Sequence, residues 1–171
     1  MRAHTSNFQL PSSNSLLCNF QLLTLSIAIK NNNFPLLCRK KMSAILYVFL
    51  GGGLGSIFRY LISIYSIKIW GLQFPFGTLI VNAVGSFFIG LIWGMMDLSE
   101  WKTETKLFLI AGFLGGFTTF STFSVETMYL FKSAQYKLAI LNILANNVVG
   151  LLLVFAGYFL GRWISSPLST N

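Results

Sequence analysis

The chain has 171 residues, of which 54% are hydrophobic and only 9% charged. A soluble globular domain carries roughly a quarter charged residues, so this composition excludes a mostly water-facing surface and points to lipid. Twelve Lys and Arg against four Asp and Glu give a formal charge of +8, but basic residues cluster nowhere beyond Arg39-Lys40-Lys41, which excludes a nucleic-acid-binding face and reads as the cytoplasmic flank of the next apolar stretch.

Residues 1–41 hold both cysteines (Cys18, Cys38), the one histidine (His4), five basic residues and no acidic one. Leu16–Ile29 is apolar but carries Asn19, Gln21, Thr24 and Ser26, and it is too short to span a bilayer. It reads as a signal-peptide core behind Arg2, as an organellar transit peptide, or as sequence ahead of a true start at Met42. On each reading, 1–41 is an N-terminal extension expected to be disordered, and it is set aside from function. From Met42 onward there is neither Cys nor His, which excludes Cys/His zinc sites, disulfides, thiol or Ser-His catalysis and haem ligation from the main body. No enzyme is expected.

Four apolar stretches follow, at Ser43–Tyr65, Phe74–Met96, Leu107–Phe131 and Leu138–Leu160. Each, as a helix rising 1.5 Å per residue, is long enough to cross a hydrocarbon core of about 30 Å. Only Arg59 and Glu126 are charged within them. The connections Ser66–Gln73, Asp97–Lys106 and Lys132–Lys137 are too short to form domains. The expectation is therefore one all-α, multi-pass bundle over 42–164, with both ends on one side and a polar tail at 165–171. Trp70, Trp93, Trp101 and Trp163 all fall at or beyond the ends of the stretches, as an interfacial aromatic belt requires.

In the first stretch, Arg59 stands near the end and reads most simply as snorkelling to the interface. In the second, Asn82 is a lone amide among apolar neighbours; an unsatisfied amide in hydrocarbon costs several kcal/mol, so it faces either water or a partner helix. The third is the least ordinary. Gly115-Gly116 precedes five hydroxyl residues in the seven positions from Thr118 to Ser124, a pattern that weakens a helix near mid-membrane and is tolerated only where freed backbone faces protein or an aqueous path. A break here frees carbonyls for a small cation and amides for an anion. The plainer alternative is close packing, with each hydroxyl bonded back to its own helix.

Phe113, Phe117, Phe120 and Phe123 form a stripe along that segment. It reads as packing, or as ring edges whose positive quadrupole faces an anion. Glu126 reads as a proton carrier or as a vestibule residue bonded to nearby hydroxyls. In the fourth stretch Asn142 and Asn146 share a face, with Asn142 placed near the interface. Small-xxx-small pairs at Gly51/Gly55, Gly90/Gly94, Gly112/Gly116 and Gly157/Gly161 indicate tight helix contact.

Taken in order, Gly51-Gly52-Gly53-Leu54-Gly55-Ser56 with Arg59-Tyr60, Gly77-Thr78 leading to Asn82 and Gly85-Ser86, and Gly115-Gly116-Phe117-Thr118-Thr119-Phe120-Ser121-Thr122-Phe123-Ser124 resemble the Fluc (CrcB) fluoride channels over about residues 42–164. The resemblance implies four transmembrane helices with a break in the third, in an antiparallel dual-topology dimer of the cell membrane. It implies two fluoride pores and a structural Na+ held by backbone carbonyls of Gly115 and Thr118 from both subunits. It also implies that Asn82 donates to fluoride, that Phe120 and Phe123 present ring edges to it, that Thr122, Ser124 and Glu126 continue a polar track, and that Arg59 faces a vestibule. The sequence departs from the family on the facing helix, where Asn142–Trp163 has no Ser or Thr and Asn146, Asn147 or Tyr158 are the available replacements.

Fluoride is small and strongly hydrated. A pore must replace its water with donors while avoiding a buried cation that would trap it, and Asn82 with a row of hydroxyls meets both conditions. Two rivals are a small proton-coupled multidrug exporter, for which Glu126 is the only candidate carboxylate, and a non-transporting membrane scaffold. Counted from Met42, Lys102, Lys106 and Arg162 on the terminal side balance Lys68, Lys132 and Lys137 on the other, so the short form is expected to insert both ways. Arg39, Lys40 and Lys41 tip the count to one orientation, leaving an inverted partner to another chain or to the short form.

Overall fold

The computed structural model describes residues 34–166, and every regular element among them is helical. Residues 44–166 belong to one compact unit; ahead of it only the helical backbone from Phe34 is described, so Leu16–Ile29 lies outside the described residues.

Helix α1 runs Phe34–Trp70 and α2 runs Phe76–Met96. The third span, α3, covers Thr103–Lys132, and the fourth, α4, covers Tyr136–Ser165. All four, α1 counted from Lys41, are long and apolar enough to cross a membrane. The spans outrun the apolar stretches for identifiable reasons. Nothing in Ser66–Ile69 breaks a helix, so α1 continues until Gly71, whose φ of 74° lets it close the end with its N–H on the Ile67 carbonyl at 2.8 Å. Pro75 precedes the start of α2, where a missing N–H costs nothing. Between α3 and α4, Ala134 takes the left-handed conformation (φ 56°) while the Gln135 N–H reaches back to the Leu130 carbonyl at 2.9 Å.

The small-residue pairs set how the helices meet. A Cβ at Gly90 would collide with the Val154 carbonyl oxygen and one at Gly94 with that of Tyr158; reciprocally, Gly157 lies on the Phe87 carbonyl and Gly161 on that of Leu91. The α2–α4 seam is thus backbone against backbone. Gly51 and Gly55 on α1 lie in the same way on the carbonyls of Phe108 and Phe113, and Gly116 on that of Gly52. In lipid no hydrophobic force drives helices together, so dispersion between closely approaching backbones carries the association.

Within α3 an α-helical turn at Thr103–Lys106 passes into wider π-type turns over Leu107–Leu114 and then a short helical piece, Gly115–Phe117. Thr118 (φ −78°, ψ 158°) and Thr119 (φ −150°, ψ 119°) are extended, and helix resumes over Phe120–Lys132. The sequence favours this locally. Glycines at 115 and 116 make helix poor value, and the Thr119 hydroxyl caps the new start by accepting the Thr122 N–H at 3.2 Å. In α4 a second π-type stretch covers Ala145–Val149.

Candidate functional site

The extended pair Thr118–Thr119 takes groups out of the helical ladder. In an unbroken helix the Thr119 N–H would close on the Gly115 carbonyl and the Thr122 N–H on that of Thr118. Instead Thr119 donates to Asn82 Oδ1 at 2.8 Å and Thr122 to the Thr119 hydroxyl. The amide of Asn82, half-buried in the middle of α2, answers both ways, because its Nδ2 donates to the Thr119 carbonyl at 3.1 Å. Asn82 thus does for the exposed backbone what a neighbouring strand would do. The freed Thr118 carbonyl accepts a long bond, 3.4 Å, from Arg59 Nη1; Arg59 therefore reaches the interruption, and the expectation that it stands near its helix end is corrected, because α1 continues to Trp70.

The second Nδ2 hydrogen of Asn82 goes to Asn146 Oδ1 at 2.9 Å. Asn146 in turn donates to the Asn142 carbonyl (3.1 Å) and to Asn142 Oδ1 (2.9 Å), Asn142 donates to the Thr127 hydroxyl (2.9 Å), and Thr127 closes on the Phe123 carbonyl (2.8 Å). Asn142, near the start of its helix, packs inside the bundle. It is fully buried, because α4 begins at Tyr136 and turns this position onto α3.

A cavity of about 380 Å³ adjoins this row, lined by Asn82, Thr118, Thr119, Phe120, Phe123 and Asn146 among others. The rings of Phe120 and Phe123 lie 5.5 Å apart, inclined at 52°. They differ in setting: Phe123 is buried, whereas Phe120 is 78% exposed on the single chain. Gly115 is exposed and also lines the cavity. Thr122 and Ser124 are exposed and do not line it; the Thr122 hydroxyl accepts from that of Thr119 (3.0 Å), and the Ser124 hydroxyl donates to the Phe120 carbonyl (2.9 Å).

Glu126 belongs to a separate cavity of about 290 Å³, lined by Ser63, Ser66 and Thr78 as well. Its Oε1 accepts from the Thr78 hydroxyl at 2.8 Å, while Oε2 is buried without a partner. Tyr158 stands away from both cavities, donating to Asp97 beyond the end of α2 at 2.5 Å. Thr78, Thr119 and Thr127 were not singled out by residue type. The pattern of the sequence signals two of them, Thr78 in its Gly77-Thr78 step toward Asn82 and Thr119 in the hydroxyl run after Gly115-Gly116, and gives no signal for Thr127.

Four spans enclosing amides and hydroxyls, with the carboxylate set apart, define a small multi-pass membrane protein with an uncharged polar seam. The family described as "CrcB-like protein, Camphor Resistance (CrcB)" matches residues 46–158. Among curated relatives, a protein of Dehalococcoides mccartyi named "Fluoride-specific ion channel FluC" is 49% identical over 131 residues, covering 75% of this chain and all of the relative. Proteins of the same name from Shewanella sp. (47%, 68% of this chain and 94% of the relative) and Parabacteroides distasonis (41%, 71% and 94%) are similar. The chain belongs to the CrcB family.

Proposed function

We propose that this chain is a subunit of a passive, fluoride-selective channel that lets fluoride leave the cell. The carrying observation is the clamp of Asn82 on both backbone groups of Thr119, which concentrates donors within the span, while the one cation nearby, Arg59, meets the Thr118 carbonyl and does not line the cavity. A small, strongly hydrated anion needs such donors in place of water, while a fixed cation would hold it too long. An inside-negative potential expels an anion with about 2.3 kcal/mol per 100 mV, so passive conduction suffices and no catalytic or energy-coupling residue is assigned. In this reading Phe120 and Phe123 offer ring edges, Thr122, Ser124 and Glu126 extend the route, and Arg59 attracts anions in a vestibule.

The interruption at Thr118–Thr119 is the functional break of the third helix, and two inverted copies form a dimer. The 78% exposure of Phe120 beside a lining cavity supports a surface completed by a second subunit. A structural Na+ fits the donor set: the Gly115 carbonyl has lost its helical N–H, and that of Thr118 keeps a lone pair beside its long bond to Arg59. Hard cations take oxygen ligands of this kind; the two carbonyls from each of two chains would hold it, and the ion would fix the crossing of the two interruptions. Reporters at the C-terminus active on one side only check the topology: both signal for a chain starting at Met42, and one predominates when Arg39-Lys40-Lys41 is included, which would call for an inverted paralogue or short form as partner. The functional test is efflux from proteoliposomes, in which fluoride leaves and chloride stays. Equal chloride flux, or no fluoride flux from a verified dimer, refutes the proposal; a pH-driven organic-cation flux establishes the exporter instead.

A further inference from the structure

The carboxamides facing the cavity are oriented by backbone groups whose roles cannot be exchanged. The Thr119 N–H can only donate, so the Asn82 atom it meets is Oδ1 and Nδ2 points the other way. The Asn142 carbonyl can only accept, so Asn146 turns Nδ2 to it and presents Oδ1 to Asn82. The row is therefore polarised in one direction, from Asn82 through Asn146 and Asn142 to Thr127 and the Phe123 carbonyl. Both Asn82 N–H groups are thereby occupied, one by the Thr119 carbonyl and one by Asn146 Oδ1. An anion arriving at Asn82 finds no idle donor and must displace an acceptor. The Thr119 pairing is two-way and fixed to α3, whereas the Asn146 bond is single and belongs to a side chain.

We infer that Asn146 is a selectivity-determining residue: its Oδ1 holds the Asn82 N–H that a permeating anion has to take over. The inference rests on the fluoride reading above and adds a discriminating step to it. A hydrogen bond to an ion is stronger than one between neutral groups, and fluoride, with its charge on the smallest halide, is a stronger acceptor than a carboxamide oxygen. Chloride, larger and with more diffuse charge, is a poor acceptor and gains too little to displace Oδ1. The resident oxygen thus sets a threshold of acceptor strength, in addition to any threshold of size. Asn146 stands in the π-type stretch Ala145–Val149, where widened turns are frequent at functional positions. Both it and Asn82 line the same cavity, so the anion and the displaced oxygen share one space.

Asn146→Ser and Asn146→Ala shorten the side chain so that it no longer reaches Asn82 and leave the Thr119 clamp in place. In proteoliposomes with sodium as counter-ion, the fluoride-to-chloride permeability ratio, read from reversal potentials, is expected to fall by roughly tenfold or more, the factor attached to about one hydrogen bond. A purely structural role would scale both fluxes together and leave the ratio unchanged, and an unchanged ratio in both variants overturns the inference while leaving the parent's fluoride conduction intact. Absence of fluoride flux from the parent is the separate failure of the functional reading. Should neither variant fold, the parent decides by NMR: the Asn82 side-chain amide signal is expected to move with added fluoride and to stay put with the same concentration of chloride. Equal response to both, or to neither, refutes it.

Discussion

The α2–α4 seam and the interruption at Thr118–Thr119 are built from similarly small residues and solve opposite problems. Along the seam, Gly90, Gly94, Gly157 and Gly161 let carbonyls of the facing helix occupy the space of a Cβ, and both strips stay helical. At the interruption, the backbone leaves the helix and its polar groups pass to side chains of another helix, above all Asn82. Glycine content alone therefore does not mark function. Gly90 and Gly115 look alike in sequence, yet a Cβ at Gly115 meets only the Ile110 carbonyl at an ordinary 3.6 Å.

The sharpest test of that contrast replaces both. Gly90→Val places branched carbons on the Val154 carbonyl and is expected to cost about 3 kcal/mol or more, as severe overpacking does, read as loss of folded protein in detergent unfolding. Gly115→Ala is expected to change single-chain stability by no more than about 1 kcal/mol. If the two behaved alike, the seam would not be backbone-limited.

Next in size is Asn82→Ala. It strands the N–H and carbonyl of Thr119 and is expected to lower fluoride efflux by at least about tenfold, with a stability loss of roughly 1–3 kcal/mol for the orphaned groups. Undiminished efflux would make the clamp mere packing.

Phe120→Ile and Phe123→Ile set two positions beside the interruption against each other. Because Phe123 is buried and Phe120 is 78% exposed, only the former is expected to lower single-chain stability, by about 1 kcal/mol, while both reduce flux if ring edges meet the ion. Stability and flux measured on the same preparations separate the two effects.

The smallest change is expected from Glu126→Gln, since a carboxamide oxygen still accepts from Thr78, as Oε1 does now. Efflux should fall a few-fold at most, and no proton-driven organic-cation exchange should be there to lose; a complete block would move Glu126 from the margin of the route to its centre.

Composition and hydropathy were enough to read the four spans, because lipid imposes length and apolarity on any helix that crosses it. Their ends were less legible. Lys68 and Arg162 look like boundaries in a hydropathy trace but lie inside α1 and α4, since long basic side chains reach the interface without ending a helix. Asn82 was legible as an amide in need of a partner, but the partner was not, because it is the main chain of Thr119, and a main-chain group carries no mark in the sequence. The partner of Asn142 is equally unmarked: only the register of α4 on α3 brings it to Thr127.

The glycine seam has a consequence for rate. Where carbonyls of one helix rest on the α-carbons of the next, no side-chain layer is left to slide or compress, and α2 and α4 are expected to move together. Helix displacements take microseconds to milliseconds, whereas side-chain rotations take picoseconds to nanoseconds. On the proposed channel reading, an ion passing the α2 and α4 walls of the cavity advances by the turning of amides and rings, so throughput should show the shallow temperature dependence of torsions and little of the steep one of a gate that opens by moving these two helices apart.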